Sequence, residues 1–165
     1  MTAEREMQIH PSQRLTAPDG VQVDIDDDMV ALVRVLWSLD LKTTACCQDF
    51  GEGTAGQREA KPHPSRYSGD AFIAFYMGYA WLKMPVADAQ LLADLLISTE
   101  FRNEVTRRWT PGSWRMHLPM IFNEHRGIIL SDTAQIHFPR EQVPRLTSVL
   151  ENIRKPLSTR VQRDN

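Results

Sequence analysis

Residues 46–49 bring a thiol, an amide and a carboxylate together at one point of the chain. Cys46 and Cys47 are neighbours, so they point to opposite faces of an extended strand, and a disulfide between them would close only a strained ring. We expect both thiols to be reduced, as in a cytosolic protein. Cys47 can then bind a ligand, or act as a nucleophile with His63 or His125 as its base. Two further side chains, Gln48 and Asp49, complete the centre of the predicted site.

The residues that follow add a flexible surface to this centre. Residues 49–70 contain several glycines and two prolines, and no apolar period indicates a helix there. A long loop is therefore predicted, and loops of that length are usually functional or disordered. Glycine lets backbone N–H groups approach a ligand closely. We predict a ligand or partner surface at loop 48–69, with Arg66 contributing to binding.

Aromatic and basic side chains lie together in a second segment, which includes Trp109 and Arg115. Such side chains can stack on a base and clamp a phosphate. The 19 basic and 21 acidic residues give a net charge of −2, however, which offers no electrostatic case for a dedicated nucleic-acid binder. Trp109 and Arg115 are predicted binding residues for a small ligand or a protein partner, and nucleic acid is the less favoured partner.

Metal and cofactor motifs do not occur in the sequence. The two cysteines and five histidines lack the Cys-x-x-Cys and His-x-x-x-His spacings of strong metal sites. Adjacent cysteines on a strand do not readily chelate one ion together. Neither a Gly-x-Gly-x-x-Gly fingerprint nor a phosphate-binding Gly-Lys-Ser/Thr loop is present. No metal and no cofactor are predicted.

Hydrophobic periodicity predicts the elements that carry these residues. Apolar side chains at helical spacing predict helices over 29–40, 86–98 and 143–154. Alternation predicts a strand over 21–25 and a broken strand over 114–122, where Pro119 interrupts the pattern. Two further runs, 42–48 and 71–76, predict a central pair of strands.

The order of these elements favours an α+β fold. Helices and strands are mixed rather than strictly alternating, so we predict a single domain over residues 21–154. Its sheet should be mixed or mostly antiparallel, with helices packed on one face. Residues 1–20 are polar and predict a flexible arm that ends in a turn, and residues 155–165 predict a flexible tail.

Composition places the chain among ordinary folded domains. Its 165 residues are 42% hydrophobic and 24% charged, which suits one domain that needs no metal or disulfide to fold. The first residues lack the apolar core of a secretory signal, and the longest mostly apolar stretch, 71–84, is too short for a membrane span. We expect a cytoplasmic protein with no membrane contact.

Residues 24–76 resemble segments of two groups of known proteins. The run Thr43-Thr44-Ala45-Cys46-Cys47-Gln48 is similar to a Thr–x–x–Ser–Cys–Gln–Gly strand of small bacterial and phage proteins of unassigned activity, which it matches at Thr43, Cys47 and Gln48. It also resembles, more distantly, the Thr–Thr–Ser–Ser–Cys–Ser–Gly segment of the wybutosine-synthesis methyltransferases that act on tRNA. Cys46 stands where both patterns have serine, and Asp49 where both have glycine. The resemblance therefore does not imply that this chain transfers methyl groups.

Two functions follow as expectations. The first is a non-catalytic binding or accessory protein of a bacterial or phage cytosol. The alternative is a small transferase or a nucleotide- or RNA-processing enzyme centred on Cys47, Gln48 and Asp49. An enzyme needs a convergent pocket, whereas a binding or assembly protein exposes an apolar patch and can form a homo-oligomer, for instance through an unpaired edge strand.

Overall fold

A computed structural model describes residues 9–60, 69–107 and 110–161, except for the side chains at positions 60, 123 and 155–161. The strands are β1 (Ser12–Thr16), β2 (Gln22–Asp26), β3 (Ala45–Cys47), β4 (Tyr79–Pro85), β5 (Arg115–His117), β6 (Met120–Asn123), β7 (Gly127–Leu130) and β8 (Thr133–Pro139). The helices are α1 (Val30–Ser38), α2 (Phe50–Ala60), α3 (Asp70–Tyr76), α4 (Val86–Leu96), α5 (Arg102–Thr106) and α6 (Val143–Val161).

The main sheet is antiparallel and has four strands in the order β3-β4-β8-β5. Two antiparallel hairpins, β1–β2 and β6–β7, stand apart from it as sheets of their own. The predicted class, a single α+β fold with mostly antiparallel pairing, is confirmed.

The hydrophobic core lies on one face of the main sheet. Alternate residues of β4, namely Ala80, Leu82 and Met84, are fully buried, and Ile136 of β8 lies opposite Leu82. The apolar faces of α1, α4 and α6 cover this surface. Each fully buried leucine or isoleucine contributes roughly 1.5–3 kcal/mol to folding. The three helices predicted from their 3.6-residue period thus form the expected layer.

The opposite face of the sheet has a smaller aromatic cover. Phe50, the first residue of α2, places its ring 5.0 Å from the ring of Trp81 and 4.9 Å from that of His137. Tyr76, at the end of α3, lies 4.4 Å from the His137 ring. α2 and α3 therefore form a second layer, which holds the end of β3 in place.

The loop predicted over residues 49–70 is wrong for residues 50–60, which form α2. Glycines weaken a helix by about 1 kcal/mol each, but here they permit close packing. A Cβ atom at Gly51 would lie only 2.5 Å from the backbone nitrogen of Met77. Tertiary contact with α3 therefore outweighs the low helix propensity.

The strand predicted over residues 71–76 is also wrong, because Asp70–Tyr76 is helical. A short apolar run does not distinguish a strand from a buried helix. Phe72 and Tyr76, four residues apart, both pack against Phe50. The partner of β3 is instead β4, in a region with no predicted strand, and β3 lies at the edge of the sheet.

Both ends of the chain carry more regular structure than predicted. Residues 12–16, placed in a flexible arm, form β1, which pairs with β2 through the turn that follows Pro18. The last helix continues past Arg154 to Val161, into the predicted tail. Residues 12–16 form a strand because they pair with β2 along their whole length, from Ser12 opposite Asp26 to Thr16 opposite Gln22.

Candidate functional site

One row of paired residues crosses the main sheet and connects the predicted site residues. Cys47 pairs with Trp81, Trp81 with His137, and His137 with Arg115. Paired residues point to the same face, so all four face the α2–α3 layer. Three strand spacings separate Cys47 from Arg115, which is about 14 Å. The two residues therefore share a face but belong to different clusters.

The two cysteines face opposite sides, as the sequence predicts. Cys46 packs against the hydrophobic core, whereas the Cys47 sulfur faces a polar cluster. Within that cluster Sγ of Cys47 lies 3.7 Å from Nδ1 of His10, and the thiol donates to the Asp49 carbonyl oxygen at 3.2 Å. Cys47 is therefore the thiol that is placed for chemistry.

His10 lies between carboxylates. Its Nδ1 is 3.1 Å from Oδ2 of Asp26, and its Nε2 is 3.3 Å from Oε2 of Glu52 without forming a hydrogen bond. The His10 side chain is only 8% exposed. The donor atoms of His10, Asp26 and Cys47 all lie within 4.8 Å of one another. We call these three residues the thiol cluster.

Strand register assembles the thiol cluster. In the β1–β2 hairpin Ser12 lies opposite Asp26, so His10, two residues earlier, reaches the same end. The Asp26 carboxylate also accepts a hydrogen bond from the Gln48 N–H at 2.8 Å, which connects β2 to the end of β3. The Gln48 side-chain oxygen in turn accepts from the Asp28 N–H at 3.3 Å. Gln48 thus joins two chain segments rather than facing an open pocket.

Asp49 is an anchor in the structure. Its carboxylate is almost fully buried and accepts the N–H groups of Glu52 at 3.0 Å and Gly78 at 2.9 Å, which caps α2 and ties it to β4. Arg140 donates to the same carboxylate at 3.3 Å. Gly78 has a φ of +78°, a conformation that favours glycine. These contacts set the position of Asp49, which leaves it little freedom to bind a ligand.

Burial and charge control the reactivity of the thiols. Desolvation, followed by the nearby Asp26 carboxylate, raises the pKa of Cys47 to about 12. Burial likewise raises the pKa of Cys46 to about 12. Both groups are therefore protonated thiols at neutral pH, and a thiol is a poor nucleophile compared with a thiolate.

Arg115 belongs to an aromatic cluster at the far end of the row. Its guanidinium carbon lies 3.8 Å from the ring centre of Phe75 and 4.3 Å from that of Tyr79, and it donates to the Phe75 carbonyl at 3.3 Å. His137 lies beside Arg115 on the neighbouring strand. The pKa of His137 is lowered to about 3, mainly by burial. The His117 ring stacks on that of His137 at 5.4 Å.

Two predicted binding residues, Arg66 and Trp109, lie outside the described residues, as does His63. Sequence reasoning counted His10 among the histidines available to a metal, but it connected His10 with neither Asp26 nor Cys47, and it did not name Arg140. A hairpin prediction over residues 12–26, from the Pro18-Asp19-Gly20 turn and the alternating residues 21–25 that follow it, would have brought His10 and Asp26 together.

Two open surface cavities lie away from this centre. One, of about 440 Å³, lies between α1 and α6 and is lined by residues such as Arg34 and Glu151. Another, of about 350 Å³, lies beside α5 and is lined by Glu104 and Gln142 among others. Neither is lined by Cys47, Gln48 or Asp49, so these cavities offer that centre no space for an organic substrate.

A second candidate surface is the β6–β7 hairpin. Met120 pairs with Leu130, and Phe122 pairs with Ile128, so the four side chains share one face. These side chains are 63–77% exposed. We call this the apolar hairpin face. At its base, Ser131 N–H donates to the Pro119 carbonyl at 2.8 Å.

Comparison of the chain with protein families, curated proteins and solved structures found no match. Among the described residues, none of the helices combines the length and the apolar character that a membrane crossing requires. The thiol cluster and the apolar hairpin face are therefore the two features from which a function can be inferred.

Proposed function

We propose that this chain is a non-catalytic binding or accessory protein that works as a symmetric homodimer, joined through the apolar hairpin face. The observation that carries the proposal is the exposure of Met120, Phe122, Ile128 and Leu130 together on one side of a single hairpin. Large contiguous apolar patches are uncommon on monomers and mark interaction sites.

The sequence pattern of this segment supports a buried partner surface. Apolar residues recur at every second position from Trp114 to Phe122, which is the pattern of a strand with one buried face. Within one chain only Trp114, at 5% exposure, is buried, whereas Met116 is 38% and Phe122 77% exposed. A second molecule would supply the missing burial.

The stability of the hairpin points the same way. A two-stranded hairpin is marginally stable in water unless it packs against something else. The exposed face carries no charged side chain, so its partner must be apolar and uncharged. A second copy presents that same surface, and a two-fold axis makes the two faces complementary by construction.

Sedimentation velocity over a range of protein concentrations tests the dimer. The wild type should sediment as a dimer, and Phe122→Asp should sediment as a monomer with an unchanged circular dichroism spectrum, because a charge would be buried in the interface. Leu91→Asp is the matched control, since Leu91 is 52% exposed on α4, away from the hairpin. A wild type that is monomeric throughout, or a dimer that persists in Phe122→Asp, contradicts the proposal.

One observation favours the enzyme alternative, a transferase or nucleotide-processing activity at Cys47. His10 lies 3.7 Å from the Cys47 sulfur, with Glu52 beside its other ring nitrogen, which is the order of a nucleophile, a base and an orienting acid. The raised pKa of Cys47 argues against it. Alkylation of Cys47 by iodoacetamide distinguishes the two functions. We expect slow modification at neutral pH, and fast modification would favour the enzyme.

A further inference from the structure

The thiol cluster has the dimensions of an ion site. Nδ1 of His10 lies 3.1 Å from Oδ2 of Asp26 and 3.7 Å from Sγ of Cys47. A tetrahedral Zn²⁺ with ordinary bond lengths separates its nitrogen and oxygen ligands by about 3.4 Å, and its nitrogen and sulfur ligands by about 3.6 Å. Both observed separations lie within a few tenths of an ångström of these values.

A second observation concerns the other nitrogen of His10. The side chain is more than nine-tenths buried, and Nε2 has no hydrogen-bond partner among the described residues, although Oε2 of Glu52 is 3.3 Å away. Histidines that bind a metal through one nitrogen commonly donate the other N–H to a carboxylate. Glu52 is in place to accept a hydrogen bond from the Nε2–H group once Nδ1 binds an ion.

The local backbone also leaves room at the sulfur. Gly53 of α2 faces the cluster, and a Cβ atom there would lie 3.1 Å from Sγ of Cys47 and 3.9 Å from Cε1 of His10. A side chain at this position would therefore crowd the Cys47 sulfur and touch the His10 ring. The absence of a side chain at this position fits a site that must admit an ion beside the sulfur.

We propose that His10 Nδ1, Asp26 Oδ2 and Cys47 Sγ bind one divalent transition-metal ion, of which Zn²⁺ fits best. Zn²⁺ accepts a mixture of nitrogen, oxygen and thiolate ligands without a strong geometric demand. Binding displaces the proton of the Cys47 thiol to solvent and moves the Nδ1 proton of His10 to Nε2. Three protein ligands leave one position for water. This site is independent of the hairpin dimer.

Cobalt(II) titration tests the site on the full-length protein, because a thiolate bound to Co²⁺ gives a charge-transfer absorption. The chain has two cysteines, so Cys46→Ser leaves Cys47 as its one thiol. We expect the wild type and Cys46→Ser to show the same band at one Co²⁺ per chain, and Zn²⁺ to displace it. No band in the wild type, or loss of the band in Cys46→Ser, overturns the proposal.

Two variants measure the individual contributions by competition for Zn²⁺. Cys47→Ser should weaken zinc affinity by at least about 100-fold, since it removes a direct ligand. Glu52→Gln should weaken it by about 10-fold, because the amide orients Nε2 less well. Equal affinities for the wild type and both variants overturn the proposal, and the circular dichroism of each variant confirms that it is folded.

Discussion

Two regions of the molecule place side chains in surroundings opposite to their usual ones. The thiol cluster holds a buried imidazole with a half-buried carboxylate and a half-buried thiol beside Asp49, whereas the β6–β7 hairpin exposes Met120, Phe122, Ile128 and Leu130. Buried polar groups are costly unless they are partnered, and exposed apolar patches are uncommon unless they are covered. The ion proposed for the first region and the second copy of the chain proposed for the second would each supply the missing partner.

The regions also differ in how firmly they are attached to the fold. Asp49 connects α2, the Gly78 turn and Arg140 through its single carboxylate. The hairpin projects as a separate sheet whose base is closed by the hydrogen bond from Ser131 to Pro119. Substitutions in the first region should therefore reduce stability, and those in the second should reduce association.

Among substitutions in the two regions, the largest expected effect comes from Asp49→Ala. It leaves the part-buried N–H groups of Glu52 and Gly78 without their acceptor and removes one of the carboxylates that pair with Arg140. We expect a loss of about 2–4 kcal/mol in the free energy of unfolding. Urea denaturation measures it. Asp49→Asn keeps one acceptor oxygen and should lose less. A loss under about 1 kcal/mol for Asp49→Ala would mean that the carboxylate is not an anchor.

His137 sharpens the comparison, because it is a buried polar residue outside both regions. Its folded pKa of about 3 lies below the value of about 6.5 expected in the unfolded chain, so the unfolded state binds more protons between these pH values. Stability should therefore fall as pH falls through that window, by up to about 1.4 kcal/mol per pH unit. His137→Leu should show a shallower slope in urea denaturation over this range, and equal slopes contradict the assignment.

Gly53→Ala separates stability from ion binding within the first region. The added methyl group would lie 3.1 Å from Sγ of Cys47, so zinc affinity should fall about 3- to 10-fold, while alanine raises helix propensity by up to about 1 kcal/mol. Gly69→Ala is the control, because a methyl group there would meet no other atom within 4 Å. Isothermal titration with Zn²⁺ should therefore distinguish the two variants, and equal affinities contradict the proposed geometry.

The smallest expected effect on stability is that of Phe122→Ser. The side chain is 77% exposed in the single chain, so in monomers at low concentration the free energy of unfolding should change by less than about 0.5 kcal/mol. Phe101→Ala, at a fully buried position, should instead lose about 3–5 kcal/mol. Chemical denaturation of both variants measures the contrast. A large loss for Phe122→Ser would mean that the hairpin face packs within its own chain.

The sequence predicts the helices that have a long amphipathic period, because α1, α4 and α6 each bury one stripe on the sheet. It does not distinguish α3 from a strand, because a run of six apolar residues suits both. It does not predict α2, because the glycines of α2 permit close contact with Met77 and Cys47, and only the tertiary structure reveals that contact.

The candidate site divides in the same way. Cys47 could be found locally, from a thiol at the end of a predicted strand. His10 and Asp26 are 16 residues apart and meet Cys47 only through the β1–β2 register and the hydrogen bond to Gln48. Long-range geometry of this kind leaves no spacing motif in the sequence.

Native mass spectrometry of the full-length protein, purified and then equilibrated with Zn²⁺, tests the proposed dimer and the proposed ion site at once. It reports the number of chains and the number of bound ions in the same spectrum. The account predicts a dimer that carries one zinc ion per chain. A metal-free monomer under these conditions would contradict it.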